Sequence, residues 1–233
     1  EGTPFEAQAR LALLAIYERS RDWPNAAAIT QKMHAAKQGD FSTRQAHYLC
    51  EQALALVAQG DLSAAEIKLA QAAAVAPYAA RPRMELAKLQ QQQGQSSAAV
   101  TTLLAMSAAT PSALPLATAL LVQAGQASGQ SASVMQALQQ HYSDAPSLDV
   151  LEGIVALEAA DTTQIGAGRE WYVRHLETEP SLVAAAKWLA TEKLEHEQFH
   201  PQVQRALDRA SAPLTRYRCA ACGFEARQPF WQC

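Results

Sequence analysis

Apolar and polar residues between positions 45 and 77 follow the period of an α-helix, interrupted once by a short polar turn. The pattern predicts a helix over 45–58, a turn over 59–61 and a second helix over 63–75. Gly60 suits the end of the first helix, because glycine enters the left-handed backbone region without steric cost. Pro77 ends the second helix, because it cannot donate the next hydrogen bond. The stretch therefore predicts an antiparallel helical hairpin, with small residues where the helices cross and larger apolar residues beside them: Ala53, Ala65 and Ala72, and Leu49, Leu56 and Leu69.

The hairpin recurs along the chain at a spacing of 34 or 35 residues. The recurring features are the turn glycine (Gly60, Gly94), the small crossing residue (Ala65, Ala99), the larger apolar residue (Leu69, Leu103) and the final proline (Pro77, Pro111, Pro146, Pro180). This arrangement resembles the tetratricopeptide repeat, a helix–turn–helix unit of about 34 residues. A single hairpin cannot bury its apolar face, whereas stacked hairpins share a continuous core. We therefore expect an all-α fold, a tetratricopeptide-repeat superhelix of about six hairpins.

The less regular units follow from the same spacing. In the first, over 5–37, Leu13, Tyr17 and Ala26 occupy core positions, and Ser42 is the predicted N-cap of the next helix. The fourth unit has Gly129 in its turn. The fifth unit has Thr162 and Thr163 in its turn, and Trp171 and Tyr172 are predicted to pack in its second helix. A last helix pair is predicted over 181–195 and 201–209.

Stacked hairpins of this kind place the first helix of each unit along a concave groove, which is the expected binding surface for a protein or peptide partner. By analogy with tetratricopeptide grooves, five side chains are predicted to face it: His47, Arg81, Met84, Lys88 and Gln91. The alternative is that these are ordinary solvated positions on helix surfaces.

Composition narrows the function classes. The 233 residues are 49% hydrophobic and only 6% aromatic, which favours helices, and the net charge of −3 gives no electrostatic basis for binding nucleic acid. No apolar run is long enough to span a bilayer and no signal peptide is evident. Because the sequence begins without Met and stops at Cys233, we expect it to be a piece of a longer protein.

One short string matches a zinc-protease motif. His196 and His200 bracket H-E-x-x-H, which binds zinc only when both imidazoles lie on one face of a helix. His200 precedes Pro201, which disfavours a helical backbone at the preceding residue. The repeat period also places the string between two helices, and no third ligand is evident. We interpret it as a loop with two surface histidines.

The amino-acid composition changes after Pro213: helix propensity falls, and aromatic residues cluster around a C-x-x-C-G motif. Cys219 and Cys222 are spaced to bind one tetrahedral metal ion, and Cys233 is a candidate third ligand. A thiolate site suits iron or zinc, and a four-thiolate site needs one more cysteine than the motif supplies. The alternative, a thioredoxin-type redox pair, requires the motif to open a helix in a βαβ context.

Cys50 lies in the middle of a repeat helix and is predicted to be a buried reduced thiol. The cysteine usage predicts a reducing cellular compartment for the protein.

Tetratricopeptide units followed by Y-R-C-x-x-C-G-F and W-x-C resemble the lipopolysaccharide assembly protein B family of Gram-negative bacteria over the whole chain. The resemblance implies a repeat array over 1–212 and the start of a rubredoxin-type metal-binding domain over 213–233. Cys219, Cys222 and Cys233 match the first three of four family metal ligands. The resemblance also implies that the fourth ligand, the membrane anchor and the earliest repeats of the family lie outside this sequence.

The same resemblance implies a non-enzymatic adaptor at the cytoplasmic face of the inner membrane. Such an adaptor promotes degradation of the lipid A pathway deacetylase by the membrane-bound AAA+ zinc protease FtsH. The implied partners are FtsH, the deacetylase and other lipopolysaccharide assembly proteins. Two alternatives stay open from the residues alone. One is a generic peptide- or protein-binding repeat scaffold. The other is an enzyme, either a metallopeptidase at His196 and His200 or a thiol redox protein at Cys219 and Cys222.

Overall fold

The computed structural model describes residues 4–160, 167–191 and 200–231. The predicted all-α class is confirmed, since these residues are mostly helical. Among these residues, two short 3₁₀ helices cover Pro111–Ala113 and Ala212–Thr215, and the antiparallel strands β1 (Tyr217–Arg218) and β2 (Glu225–Ala226) form one hairpin. The described α-helices are α1 Pro4–Ser20, α2 Trp23–Ala35, α3 Ser42–Gln59, α4 Leu62–Val75, α5 Ala80–Gln92, α6 Ser96–Ala109, α7 Leu114–Ser128, α8 Ser131–Asp144, α9 Leu148–Ala160, α10 Ala167–Thr178, α11 Leu182–Thr191 and α12 His200–Ser211.

The chain divides into two compact units, residues 1–128 and 129–233. In the first unit each helix packs against the next one along the chain, from α1 to α7. One core cluster lies where α3 and α4 meet α5, and small residues occupy the closest approaches. Ala53, Ala65 and Ala72 have no exposed surface, as predicted from their small size at the helix crossings.

Three of the repeat turns share one backbone conformation. Gly60, Gly94 and Gly129 have φ of +83°, +75° and +70°, in the left-handed region that glycine adopts most easily. At Gly60 the amide N–H donates to the carbonyl groups at the end of α3, which satisfies acceptors that the helix leaves open. Asp61 then accepts a hydrogen bond from the Ala64 amide at 3.0 Å and starts α4. The predicted turns are confirmed at these three positions.

Two details of the first hairpin were predicted wrongly. Leu14, not Leu13, is the core residue, since Leu14 is 1% exposed and Leu13 is 42% exposed. The helical register differs by one residue, and adjacent leucines left the sequence pattern ambiguous. Ser42 does not cap α3, because the helix begins at Ser42 itself. Instead the carboxylate of Asp40 accepts a hydrogen bond from the Ser42 amide at 2.9 Å.

The second unit holds α8 to α12 and the β hairpin. Its core joins Leu151, Tyr172 and Ala184 from α9, α10 and α11. Tyr142 on α8 packs edge-on against Trp171, with ring centroids 5.8 Å apart, which agrees with the predicted packing of the aromatic residues of α10. The predicted turn at Thr162 and Thr163 lies outside the described residues.

Candidate functional site: first helices of the repeats and the cysteine turn

The five predicted groove residues have very different environments. Arg81 and Met84 on α5 are each only 4% exposed, whereas Lys88 is exposed and forms an ion pair with Glu85 at 3.1 Å. His47 on α3 and Gln91 on α5 are half-buried. In this structure, therefore, Lys88 offers solvent-accessible surface, while Arg81 and Met84 contribute to packing inside the first unit.

Arg81 is held by two residues of the preceding repeat. One guanidinium nitrogen forms an ion pair with Glu51, and the other lies 3.3 Å from Nδ1 of His47. Burial, and secondarily the positive charge of Arg81, lower the pKa of His47, so this imidazole is disposed to be neutral and to accept a hydrogen bond. The cluster links α3 to α5. Sequence reasoning placed His47 and Arg81 together but missed Glu51, although it lies one turn of helix after His47.

Polar side chains also link other equivalent helices of consecutive repeats. The partners are 30 to 35 residues apart, close to one repeat period, because equivalent positions lie side by side in stacked units. The pairs are Tyr48 with Glu18, Arg81 with Glu51, Tyr142 with His175, and Lys187 with Glu152. For Arg81 with Glu51 and Lys187 with Glu152, opposite charges about one period apart are visible in the sequence and could have predicted the contact.

Cys50 lies in the core of the first unit with no exposed surface, as predicted. Burial raises the pKa of its thiol to about 12, so it stays protonated at neutral pH. A protonated, inaccessible thiol is neither a nucleophile nor a metal ligand. Cys50 is therefore a packing residue.

The H-E-x-x-H string is described only at its last residue, since 192–199 lie outside the described ranges. His200 is the first residue of α12, which corrects the expectation that it lies in a loop. The reason is that a proline is tolerated in the first turn of a helix, where its missing N–H has no partner to lose. Its Nε2 lies 3.1 Å from the carbonyl oxygen of Leu189, so the imidazole contacts the last turn of α11.

Cys219 and Cys222 lie in the turn between β1 and β2. The Cys219 amide donates to the Phe224 carbonyl at 2.8 Å, and the Gly223 amide donates to the Cys219 carbonyl at 2.9 Å. Gly223 has φ of +73°, which lets the chain reverse directly after Cys222. Phe224 and Phe230 pack edge to face beside the turn, with centroids 5.3 Å apart. A thioredoxin-type pair opens a helix, and this pair does not.

This turn fits half of a thiolate metal site. Two cysteines on one tight hairpin can supply two of the soft ligands that iron and zinc prefer. In the part of the chain that the structure describes, no group of three His, Cys, Asp or Glu side chains is placed to hold a metal ion. Cys233, the predicted third ligand, lies outside that part.

A cleft of about 390 Å³ opens in the second unit, which sequence reasoning did not predict. Leu148, Asp149 and Glu152 of α9 form one wall, Val183 and Lys187 of α11 form another, and the segment 214–217 closes the third side. Burial, and secondarily the charge of Glu152, raise the pKa of Asp149. Within this unit the segment before the cysteine turn thus lies beside the last repeats.

Within the described ranges, no helix combines the length and apolar character that a membrane span requires. This finding concerns the described helices alone.

Successive antiparallel helix pairs, closed by left-handed glycine turns and spaced by about one repeat of 34 residues, define a helical-repeat protein of the tetratricopeptide class. No family model matches the chain. Lipopolysaccharide assembly protein B of Escherichia coli K12 is 25% identical to it over an alignment of 238 residues, covering 99% of this chain and 60% of that protein. The same protein from the O6:H1 and O157:H7 strains gives the same values. The resemblance predicted from the motifs is thereby confirmed, and the chain spans 60% of the length of these relatives.

Among solved structures, a tetratricopeptide repeat protein from Parabacteroides merdae aligns with a TM-score of 0.48 and 12% identity, over 89% of this chain and 79% of that one. A structure of MamA from MSR-1 aligns with a TM-score of 0.39 and 14% identity, over 88% of this chain and 98% of that one.

Proposed function

We propose that this chain is a non-enzymatic adaptor that binds protein partners through its helical repeats. The observation that carries the proposal is its similarity to lipopolysaccharide assembly protein B along 99% of its length. The polar groups of the first unit are compatible with it, because Arg81, His47 and Glu51 hold neighbouring helices together. Its surface, not an internal catalytic centre, is then what it offers to other molecules.

The finer proposal concerns lipopolysaccharide synthesis. The adaptor acts at the cytoplasmic face of the bacterial inner membrane, to which an anchor outside this sequence attaches it. There it binds the deacetylase of the lipid A pathway and the membrane-bound AAA+ protease FtsH, and it thereby promotes degradation of the deacetylase. The support is that the relatives are named for lipopolysaccharide assembly, together with the repeat-plus-cysteine architecture.

A metal at the C-terminal cysteine turn belongs to the same proposal. Cys219 and Cys222 would supply two thiolates and Cys233 a third, with iron or zinc as the ion. The metal would supply structural cross-linking of the turn. The left-handed Gly223 and the hydrogen bonds of Cys219 already form the tight reversal that such a site needs. This rubredoxin-type domain over 213–233, following repeats over 1–212, remains a proposal.

Affinity capture from membranes tests the adaptor function. The protein is tagged at its own locus and cross-linked in the cell, and the captured proteins are identified by mass spectrometry. The expected result is enrichment of the protease and of the deacetylase over an untagged control. Capture of neither, with other proteins enriched reproducibly, would replace the proposal by a generic repeat scaffold.

A second arm addresses catalysis. The variant His196→Ala with His200→Ala removes both imidazoles of the protease-like string and should leave partner capture unchanged. If the double variant abolishes function in the cell while the helical circular dichroism signal is retained, the result favours the enzyme alternative and contradicts the adaptor proposal.

A further inference from the structure

The two faces of the β hairpin have different surroundings. Tyr217 and Ala226, which pair across the hairpin, are half-buried, and Tyr217 lines the cleft beside α9. Arg218 and Glu225, the next pair, are exposed. Because successive side chains of a strand point to opposite faces, the hairpin has an inner face toward the last repeats and an outer face toward solvent.

Basic side chains outnumber acidic ones on the exposed side of the hairpin. Arg218 and Arg216 both form ion pairs with Glu225, at 2.6 Å and 3.2 Å, so two guanidinium groups share one carboxylate. Arg227 directly follows β2, is exposed, and forms no ion pair with the described residues. We call Arg216, Arg218 and Arg227 the arginine patch; with Glu225 included, it has a net charge of +2. Arg216 and Arg227 lie at the open end of the hairpin, opposite the cysteine turn.

The charge of this end of the chain is opposite in sign to that of the rest. The sequence has 19 basic and 22 acidic side chains, and residues 200–231 contain five of the basic ones and two of the acidic ones. That segment therefore has a net charge of +3, whereas residues 1–199 have a net charge of −6. An anionic surface would attract the C-terminal end and, on balance, repel the remainder, so such a contact is oriented as well as favourable.

Large apolar side chains are exposed beside the arginines in the chain. Leu214, two residues before Arg216, is 62% exposed, and Phe224, next to Glu225, is 54% exposed. At a lipid surface, cationic groups attract the phosphates, while leucine or phenylalanine side chains enter the boundary between headgroups and acyl chains. Neighbouring basic and exposed apolar residues therefore fit an anionic lipid surface better than a purely acidic polypeptide, which would leave both apolar side chains in water.

We propose that the arginine patch binds the headgroups of an anionic phospholipid bilayer, with Leu214 and Phe224 entering the interface. The proposal goes beyond the adaptor function, in which the membrane anchor lies outside this sequence. Its choice of a lipid surface rests on the proposed location of the protein at the inner membrane. The contact is peripheral and reversible, because each basic residue near an anionic membrane favours binding by only about fivefold.

Vesicle flotation with the whole 233-residue protein tests the proposal. The probes are vesicles of phosphatidylcholine alone and vesicles in which about one third of the lipid is phosphatidylglycerol, which supplies anionic headgroups. We expect binding to the anionic vesicles and little binding to the neutral ones. High salt should remove most of the binding, because salt screens exposed charges. Fluorescent hexaglutamate, an acidic polypeptide without a lipid surface, is titrated separately and should not bind measurably.

Variants then separate the arginine patch from general charge effects. Arg227→Gln should weaken binding to the anionic vesicles about fivefold, and the charge reversal Arg227→Glu about 25-fold. Leu214→Ser removes an exposed apolar group and should weaken the same binding a few-fold. Arg19→Gln removes an equal charge from an exposed position of α1 and should leave binding unchanged. Each variant should retain the helical circular dichroism signal.

Several results would overturn the proposal. These are no binding to the anionic vesicles, equal binding to the neutral vesicles, unchanged binding by Arg227→Glu, or an equal loss in Arg19→Gln. Binding of hexaglutamate that Arg227→Glu abolishes, without binding to vesicles, would assign the patch to an acidic polypeptide instead. The vesicle assay contains neither the protease nor the deacetylase, so its failure contradicts the lipid contact alone. Failure to capture both proteins from membranes contradicts the adaptor function.

Discussion

At the scale of single residues, the repeat depends on positions that cannot be exchanged freely. The turn glycines have left-handed backbones, and the alanines at the helix crossings have no exposed surface. Both follow from the same requirement, the close approach of two antiparallel helices joined by a short turn. Such positions are predictable from sequence, because glycine and alanine are the residues that satisfy them.

Gly60→Ala tests the turn. A Cβ at Gly60 meets no atom within 4 Å, so the cost comes from the backbone alone, at φ of +83°. We expect the free energy of unfolding to fall by about 1–2 kcal/mol, the usual cost of a left-handed conformation in a residue with a side chain. Urea unfolding monitored by circular dichroism measures it, with Gln59→Ala at an exposed helical position as the control. Equal stability of Gly60→Ala and the wild-type protein would refute the argument.

Asp149 gives a prediction about pH. Its pKa is raised in the folded protein, so the ionised carboxylate opposes folding, and stability from this group improves as the pH falls through the folded pKa. Asp149→Asn should therefore raise Tm at pH 7, and this gain should shrink as the pH falls to about 3.9, the ordinary pKa of Asp. Thermal unfolding of both proteins between pH 4 and pH 7 measures the difference. A lower Tm of the variant at pH 7 would contradict it.

At the scale of helices and hairpins, the sequence predicted where most elements occur but not which faces they bury. The helices over 45–58 and 63–75 are observed as α3 and α4 with ends shifted by up to three residues. Arg81 was expected at a groove and is buried, because its charge is satisfied by Glu51 on the neighbouring repeat. Such pairing depends on how two repeats stack, which a pattern within one helix does not contain.

The candidate site was likewise predictable from the sequence only in part. Local chemistry was predictable: the C-x-x-C-G motif forms a tight turn because Gly223 follows the second cysteine. The cleft was not, because α9, α11 and the segment 214–217 come together only in the folded unit, and their sequences show no motif. Glu152 lies beside Asp149 on α9, but the other two walls of the cleft come from residues that are distant in the chain.

The link between α3 and α5 can be measured by a double-mutant cycle. Glu51→Ala leaves the nearly buried guanidinium of Arg81 without its carboxylate, and we expect a loss of about 2 kcal/mol in unfolding free energy. Arg81→Met removes the charge itself. In the double variant the loss should be smaller than the sum of the single losses, because the two residues act together. Strict additivity would mean that the pair is not a stabilising contact.

At the scale of the whole molecule, two compact units supply different surfaces. The first consists of stacked helices with a packed polar cluster at α3 and α5. The second contains the cleft and the cysteine turn. The proposed adaptor would need separate contacts for the protein to be degraded and for the protease, and two units carrying different surface chemistry are compatible with that requirement.

Metal content tests the proposed role of the cysteine turn. Cys219→Ser with Cys222→Ser should reduce bound iron or zinc to background, while the helical circular dichroism signal stays, because both cysteines lie outside the helices. Cys50→Ala is the matched control and should retain the metal, since that thiol is buried and protonated. Elemental analysis of the purified proteins measures both. Retention of the metal by the double serine variant would exclude the turn as its site.

The central claim is that this protein acts by bringing a substrate to a protease. Its most direct test is the half-life of the lipid A pathway deacetylase in cells, followed by immunoblotting after protein synthesis is stopped. We predict that depletion of this protein lengthens that half-life several-fold and that its re-expression restores the original value. An unchanged deacetylase half-life after depletion would contradict the account.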